Sequence, residues 1–255
     1  VWNTEKKKLS GFEKRQNRVL NKINSDVKQT IVNDGFAVFP NNTWRGAGVA
    51  IPVLSLKSKD SFGVGEFKDL KKLAYWAQKT GLKLIQILPV NDTTANHNWL
   101  DSYPYAAISA FALHPMYLHL NDIVEEKNKH ILDEIKKDGQ LLNALDKVDY
   151  EKVNEQKWNF IKKIFPLQKE KTFSSNEYKD FFENNKNWLF PYAAFCFLRD
   201  KYNTCDFNFW RTNKIFNQKE IEKLSEEEAS KDAVSIHYFV QYHLHLQLKE
   251  ATAYA

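Results

Sequence analysis

The sequence contains few of the residues that define specialised scaffolds. Two cysteines in 255 residues, Cys196 and Cys205, exclude a disulfide framework and a cysteine-based zinc site, and they indicate a reducing compartment. No apolar run approaches the ~20 residues that a transmembrane helix needs. No signal-peptide core follows the charged N-terminal residues. The sequence therefore predicts a cytoplasmic protein without a membrane partner.

The sequence also lacks the signals of phosphate, nucleic-acid and metal sites. Gly63 and Gly65 are spaced G-x-G, with no third glycine and no G-K-[ST] motif, so we interpret them as a tight turn that enters a helix. The net charge of +5 is mild, and most lysines interleave with acidic residues, which argues against a nucleic-acid partner. His243 and His245 would point to different sides of a helix, so they cannot share a metal. We expect no cofactor and no metal.

Two apolar runs separated by a helical pattern predict a βαβ unit. The runs cover 46–54 and Leu84–Leu88. Between them, apolar residues at three- and four-residue steps predict a helix over 66–80 that stops at Gly81. Such a unit has parallel strands. Because neither run alternates strictly, we expect both faces of each strand to be buried.

A polar and aromatic loop follows the second run, from about Asn91 to Ala107. Parallel sheets usually hold ligands at the carboxyl ends of their strands. Asp, Asn and Tyr side chains hydrogen-bond hydroxyl groups, and Tyr and Trp rings cover the apolar face of a sugar. The loop therefore suits a neutral polyol better than a phosphate. From these residues alone, a surface loop without a ligand is an equal alternative.

Asp101 is the most tempting catalytic carboxylate in this loop. A glycosidase needs a second carboxylate ~5–9 Å away, and the sequence offers no convincing partner. We therefore interpret Asp101 as a hydrogen-bonding loop residue.

Beyond Leu120 the sequence is helix-like and charged. Ser174-x-x-Glu177 and Ser225-x-x-Glu228 fit capping boxes and predict helix starts. Pro166 is expected to end one helix, and Pro191 to lie in the first turn of another. An apolar pattern from 236 to 251 predicts a last helix. Several aromatic residues are expected to form a core: Phe181, Phe182, Trp188, Phe190, Tyr192 and Phe195.

Four motifs follow one another in a fixed order. They read WRGAGVAIP at 44–52, SFGVGEF at 61–67, QILPVNDT at 86–93 and DSYPY at 101–105, followed by SAFALHP at 109–115. Together they resemble the opening of the catalytic region of the 4-α-glucanotransferases, also called amylomaltases or disproportionating enzymes. The likeness covers about residues 44–255 and is densest over 44–120.

The resemblance implies an α/β fold, a partial (β/α)8 TIM barrel with a large helical insertion subdomain. Residues 45–120 would form the first βα units. Residues 121–255 would form the insertion and the helix that leads to the next barrel strand. Residues 1–44 would be a lead-in or linker, and the likeness to the long form of the family makes the tail of a starch-binding module an alternative.

The resemblance also implies a function, the transfer of α-1,4-glucan segments with retention through a covalent glycosyl-enzyme. The family's nucleophile and acid/base stand in motifs that this sequence lacks, so we expect them beyond its C-terminal end and expect the chain alone to be inactive. Tyr105 matches the tyrosine that packs on the sugar beside the scissile bond. The other expected glucan-binding residues are Ser102, Asp101, Tyr103, Asn91 and Asp92.

Two alternatives remain from the sequence. A non-catalytic α-glucan-binding protein could use the same loop, 91–105. An unrelated phosphate-binding barrel is disfavoured, because the glycine and lysine chemistry for phosphate is missing.

Overall fold

The computed structural model describes residues 45–255 together with the backbone of Trp2–Asn3 (β1) and Lys8–Leu9 (β2). These two short strands pair with each other in antiparallel fashion. Residues 46–255 form a compact unit of their own, which contains every feature discussed below. Apart from β1 and β2, the predicted lead-in over 1–44 lies outside the described residues.

A parallel pair of strands opens this unit. β3 (Gly48–Ile51) pairs with β4 (Leu84–Ile87), and Gly48 lies opposite Leu84. The predicted strand direction and pairing are confirmed, because β3 and β4 run parallel and are adjacent.

α1 (Asp69–Thr80) connects the two strands. It begins three residues later than the apolar pattern predicts, because the Asp69 carboxylate accepts a hydrogen bond from the backbone N–H of Glu66 and holds 66–68 in a turn. It stops at Gly81, as predicted. Gly81 adopts φ +77°, a left-handed conformation that costs glycine little because it lacks a Cβ.

The expectation that both strand faces are buried is wrong for the described residues. Along each strand, exposed residues alternate with half-buried ones, and Leu84 is 54% exposed. The reason is that α1 packs against one face of the pair, whereas in residues 45–255 the other face meets solvent.

Most of the remaining residues that the structure describes are helical. The longer helices are α2 (Lys129–Asn143), α3 (Tyr150–Ser174), α4 (Asn176–Tyr202), α5 (Gln218–Glu226) and α6 (Lys231–Tyr254). The main core lies against α3 and α6 and includes the fully buried Phe160 and Phe239. A second core between α4 and α6 contains Phe181 and Tyr192, with the other predicted aromatic residues packed against it, so that prediction is confirmed. Among the described residues, no helix is both long and apolar enough to cross a membrane.

Two prolines lie inside long helices, contrary to the prediction. Pro166 lies within α3 and Pro191 within α4. Proline removes one helical hydrogen bond. At the exposed Pro166 water can solvate the carbonyl that is left over, and the buried neighbours Phe165 and Gln168 hold the helix on both sides of it. Tertiary packing thus overrides the local preference.

The two predicted capping boxes are also corrected. Ser175, rather than Ser174, caps α4, and its hydroxyl accepts a hydrogen bond from the Tyr178 N–H at 3.2 Å. Ser225 lies inside α5 instead of starting a helix, and its hydroxyl lies 2.9 Å from that of Tyr238. One S-x-x-E motif lies one residue before the cap of α4 and the other lies inside α5, so this spacing does not by itself fix the first helical residue.

Candidate functional site

The candidate site is the segment 91–105, here called the aromatic loop, at the carboxyl end of β4. A second segment closes its base. Asn91 forms an antiparallel bridge with Leu113, and the backbone of Asp92 exchanges hydrogen bonds with Ala112 and Ile108, each at 2.8 Å. The loop therefore leaves the sheet where the sequence predicts and returns to a fixed base.

Asp92 is buried at the start of the loop. Its Oδ1 accepts hydrogen bonds from the backbone N–H and the hydroxyl of Thr94, at 2.9 and 2.6 Å. Its Oδ2 accepts the hydroxyl proton of Tyr192 on α4 at 2.7 Å. Burial, reinforced by the charge of Asp92, raises the pKa of Tyr192 well above its usual value, so this hydroxyl stays a donor. Asp92 thus ties the loop to α4.

Asp101 is also buried, and it organises the inside of the loop. Its Oδ2 accepts the backbone N–H groups of Asn96 and His97 at 2.8 and 2.7 Å, and its Oδ1 accepts the side-chain amide of Asn96 at 3.2 Å. The interpretation of Asp101 as a hydrogen-bonding loop residue is confirmed. The structure therefore turns the carboxylates of Asp92 and Asp101 inward, away from the loop surface.

Tyr150 and His114 hold the loop at the backbone of Asp101. The His114 Nδ1 accepts the N–H of Met116, so the neutral ring carries its proton on Nε2 and donates it to the Tyr150 hydroxyl at 2.7 Å. Burial lowers the pKa of His114, which favours this neutral form. The Tyr150 hydroxyl in turn donates to the backbone carbonyl of Asp101 at 3.3 Å.

The outer surface of the loop carries the remaining predicted residues. Tyr103 and Tyr105 are each 61% exposed, and their ring centroids lie 5.5 Å apart with the planes tilted by 51°. Ser102 is exposed beside them, and Asn91 is half-buried at the base. The structure thus brings Ser102, Tyr103 and Tyr105 together on one exposed stretch. Two adjacent rings with free faces and hydroxyls can cover a sugar and hydrogen-bond its edge.

The sequence did not reveal three residues that hold this loop from the helices. Arg199 on α4 donates to the Thr94 carbonyl, and its neighbour Asp200 accepts from the Nε2 of His97 at 2.8 Å. On α3, Glu151 accepts the backbone N–H of Trp99 at 3.0 Å. These partners lie about 50 to 105 positions apart in sequence, so no local pattern could have identified them. Within residues 45–255, no cluster of histidine, cysteine or carboxylate side chains is arranged to hold a metal ion.

A family model described as 4-alpha-glucanotransferase matches residues 51–255. The chain belongs to this family. Among 4-alpha-glucanotransferases, the rice protein DPE2 is 44% identical to it over 229 residues, which are 89% of this chain and 24% of the rice protein. The enzyme of Chlamydia muridarum is 31% identical over 211 residues, which are 82% of this chain and 38% of that protein. The chain therefore spans about a quarter to two fifths of the length of these relatives.

Solved structures of amylomaltases share the fold of this chain. Amylomaltase from Corynebacterium glutamicum aligns with a TM-score of 0.61 at 18% identity, over 82% of this chain and 28% of that one. Amylomaltase from Streptococcus agalactiae, solved in complex with acarbose, aligns with a TM-score of 0.65 at 19% identity, over 83% of this chain and 41% of that one. The mostly helical unit with a short parallel strand pair is thus an arrangement found in amylomaltases.

Proposed function

We propose that this chain is part of the catalytic region of a 4-alpha-glucanotransferase, which transfers α-1,4-glucan segments between maltooligosaccharides or starch-like glucans. The aromatic loop carries the proposal. It lies within the family match and presents Tyr103 and Tyr105 to solvent on a buried, hydrogen-bonded base. A relative with the same fold was solved with acarbose, which supports an oligosaccharide ligand.

In the proposed architecture, residues 45–120 are the first βα units of a (β/α)8 barrel. The parallel pair β3–β4 and its connecting α1 support this assignment. Residues 121–255 are the helical insertion and the helix that leads to the next strand, which fits the run of helices from α2 to α6. We assign residues 1–44 to a lead-in or linker that precedes these units in the sequence, with the tail of a starch-binding module as the alternative.

The loop residues divide into two roles. Tyr105 covers the face of the glucose ring beside the scissile bond, Tyr103 extends this surface, and Ser102 and Asn91 hydrogen-bond sugar hydroxyls. Asp92 and Asp101 contribute indirectly, because their buried carboxylates fix the backbone that presents the rings. Such preorganisation lowers the entropic cost of placing a substrate for reaction.

The chemistry is a retaining double displacement. A carboxylate nucleophile attacks the anomeric carbon and the glycosidic bond breaks, while a second carboxyl group, about 5 Å away, protonates the leaving oxygen. An acceptor hydroxyl, which gives its proton back to that second group, then displaces the nucleophile from the anomeric carbon. Asp92 and Asp101 are not suited to either role, because backbone and side-chain donors of the protein occupy their oxygens. Since the motifs that carry the family's nucleophile and acid/base are also absent from this sequence, we assign both groups to residues outside 1–255. A non-catalytic glucan-binding protein is less well supported, since the family and the relatives are glucanotransferases.

The test is to incubate the full-length protein that contains this chain with maltotriose and to separate the products by chain length. We expect glucose together with longer maltooligosaccharides, and new bonds of α configuration by NMR. Residues 1–255 alone, as the matched control, should give no redistribution. Binding of maltooligosaccharide by the full-length protein without any transfer would contradict the proposal and support the non-catalytic alternative.

A further inference from the structure

The C-terminal end of α4 meets the aromatic loop through two adjacent residues. Arg199 is buried, and its Nη1 donates to the carbonyl of Thr94 near the start of the loop. Its Nε donates to the Oδ1 of Asp200 at 2.7 Å. The same Asp200 oxygen lies 2.8 Å from the Nε2 of His97, near the middle of the loop. One pair of residues therefore contacts the loop at two points.

The backbone of the loop requires such support at His97. This residue has φ +58°, a left-handed conformation that is unfavourable for a residue with a Cβ. On the inner side, the Asp101 carboxylate accepts its N–H at 2.7 Å. On the outer side, Asp200 holds its ring. Partial burial of Asp200 raises its pKa, but the hydrogen bonds from His97 and Arg199 outweigh this effect and keep the pKa well below the usual range, so Asp200 is a suitable partner.

We propose that Arg199 and Asp200 are positioning residues for glucan transfer: through Thr94 and His97 they set the conformation of the loop that presents Tyr103 and Tyr105. This inference rests on the proposed function. Neither residue contacts the substrate in this account, and their effect passes through the loop backbone. The helical insertion thus acts as a support for the glucan-binding surface.

Asp200 is the better of the two to change. Its side chain is 46% exposed, so its truncation leaves no cavity in the core, whereas truncation of the buried Arg199 would also disturb the packing around it. Asp180, an exposed aspartate on the same helix, provides the matched control. Asp200→Asn retains an Oδ1 that can accept both hydrogen bonds but removes the negative charge, so it serves as the conservative variant.

The first measurement is kinetic, on the full-length enzyme with maltotriose. We expect Asp200→Ala to lower kcat/KM about 5- to 50-fold, Asp200→Asn to lower it less, and Asp180→Ala to change it less than twofold. Because Asp200 acts through the loop that presents Tyr105, Asp200→Ala should have a clearly smaller effect in a Tyr105→Ala background than in wild type. An equal loss in both backgrounds would overturn the inference, as would an unchanged Asp200→Ala enzyme.

The second measurement does not depend on activity. Hydrogen–deuterium exchange of the full-length protein should show faster exchange over residues 94–101 in Asp200→Ala and no change in Asp180→Ala. Unchanged exchange in this segment would overturn the positioning role even if activity fell. If exchange is faster in Asp200→Ala but the wild-type full-length protein transfers no glucan, the role of Asp200 in holding the loop would be supported and the proposed function would be refuted.

Discussion

Replacing Lys157 by methionine would remove a fully buried ammonium group from the segment that follows the aromatic loop. The Lys157 Nζ pairs with the Glu66 carboxylate and donates to the carbonyls of Met116 and Leu118, at 2.7 and 2.8 Å. Both side chains of the ion pair are only 1% exposed. Burial lowers the pKa of Lys157, and the charge of Glu66 opposes this shift.

The loss of stability should be large because Glu66 remains behind. Methionine fills a similar volume with a similar helix propensity, so the packing of α3 changes little. The Glu66 carboxylate would keep only its contact with the His119 Nδ1, and two carbonyls would be left buried without the ammonium. Breaking a buried pair in this way costs about 3–5 kcal/mol. For a unit of about 200 residues, that lowers the melting temperature by about 6–20 °C.

The matched control is Lys163→Met on the same helix. Lys163 pairs with Glu134 at 2.8 Å, but both side chains are more than half exposed, so its loss should cost about 0–1 kcal/mol. Thermal unfolding followed by circular dichroism would compare the two variants. The double variant Glu66→Gln with Lys157→Met should recover part of the loss, because it leaves no buried charge. Equal melting temperatures for the two methionine variants would refute the reasoning.

Two further predictions concern pH and backbone geometry. Burial lowers the pKa of His237 to about 4, whereas the pKa in the unfolded state is about 6.5. Between about pH 6.5 and pH 4 the unfolded state therefore binds more protons than the folded state, so the free energy of unfolding falls as the pH drops. From pH 7.5 to 5 the protonation of His237 should lower the free energy of unfolding by about 2 kcal/mol. In urea unfolding at several pH values, His237→Phe should therefore show a smaller loss of stability over this range. The same loss in the variant and in wild type would exclude His237 as its cause. A Cβ on Gly65 would lie 1.9 Å from the Val53 carbonyl oxygen, so Gly65→Ala should cost about 3 kcal/mol or more. A Cβ on Gly81 would meet no other atom, and the only strain would come from the left-handed φ, so Gly81→Ala should cost about 1–2 kcal/mol. Urea unfolding that finds Gly81→Ala less stable than Gly65→Ala would contradict this prediction.

Local patterns were sufficient to predict the opening of the fold. The apolar runs, the helical periodicity and Gly81 all lie within about 40 residues, and they predict a parallel pair followed by a loop at its carboxyl end. The structure has β3, β4 and that loop in place. The interpretation of Asp101 also required only neighbouring residues, since its partners Asn96 and His97 lie in the same loop.

Features that depend on distant packing were not predictable. Pro166 and Pro191 stay inside helices because buried neighbours on both sides outweigh one missing hydrogen bond. The contact of Arg199 with Thr94 joins positions 105 apart, and it becomes visible only after α4 is placed beside the loop. The burial of both strand faces was predicted wrongly because composition alone does not say what covers each face.

The most direct test of the account is the turnover of full-length enzyme carrying Tyr105→Ala. The variant loses the ring that is proposed to cover the glucose beside the scissile bond and the hydroxyl that hydrogen-bonds near it. A contact that strengthens in the transition state lowers turnover as well as binding. We expect maltotriose disproportionation to fall roughly tenfold to a thousandfold, equivalent to about 1.4–4 kcal/mol.

Tyr75→Ala is the matched control for this measurement, because Tyr75 on α1 is similarly exposed but lies outside the loop. Its turnover should remain within twofold of wild type. Tyr105→Ala with wild-type turnover and an unchanged melting temperature would contradict the assignment of the aromatic loop as the glucan-binding surface.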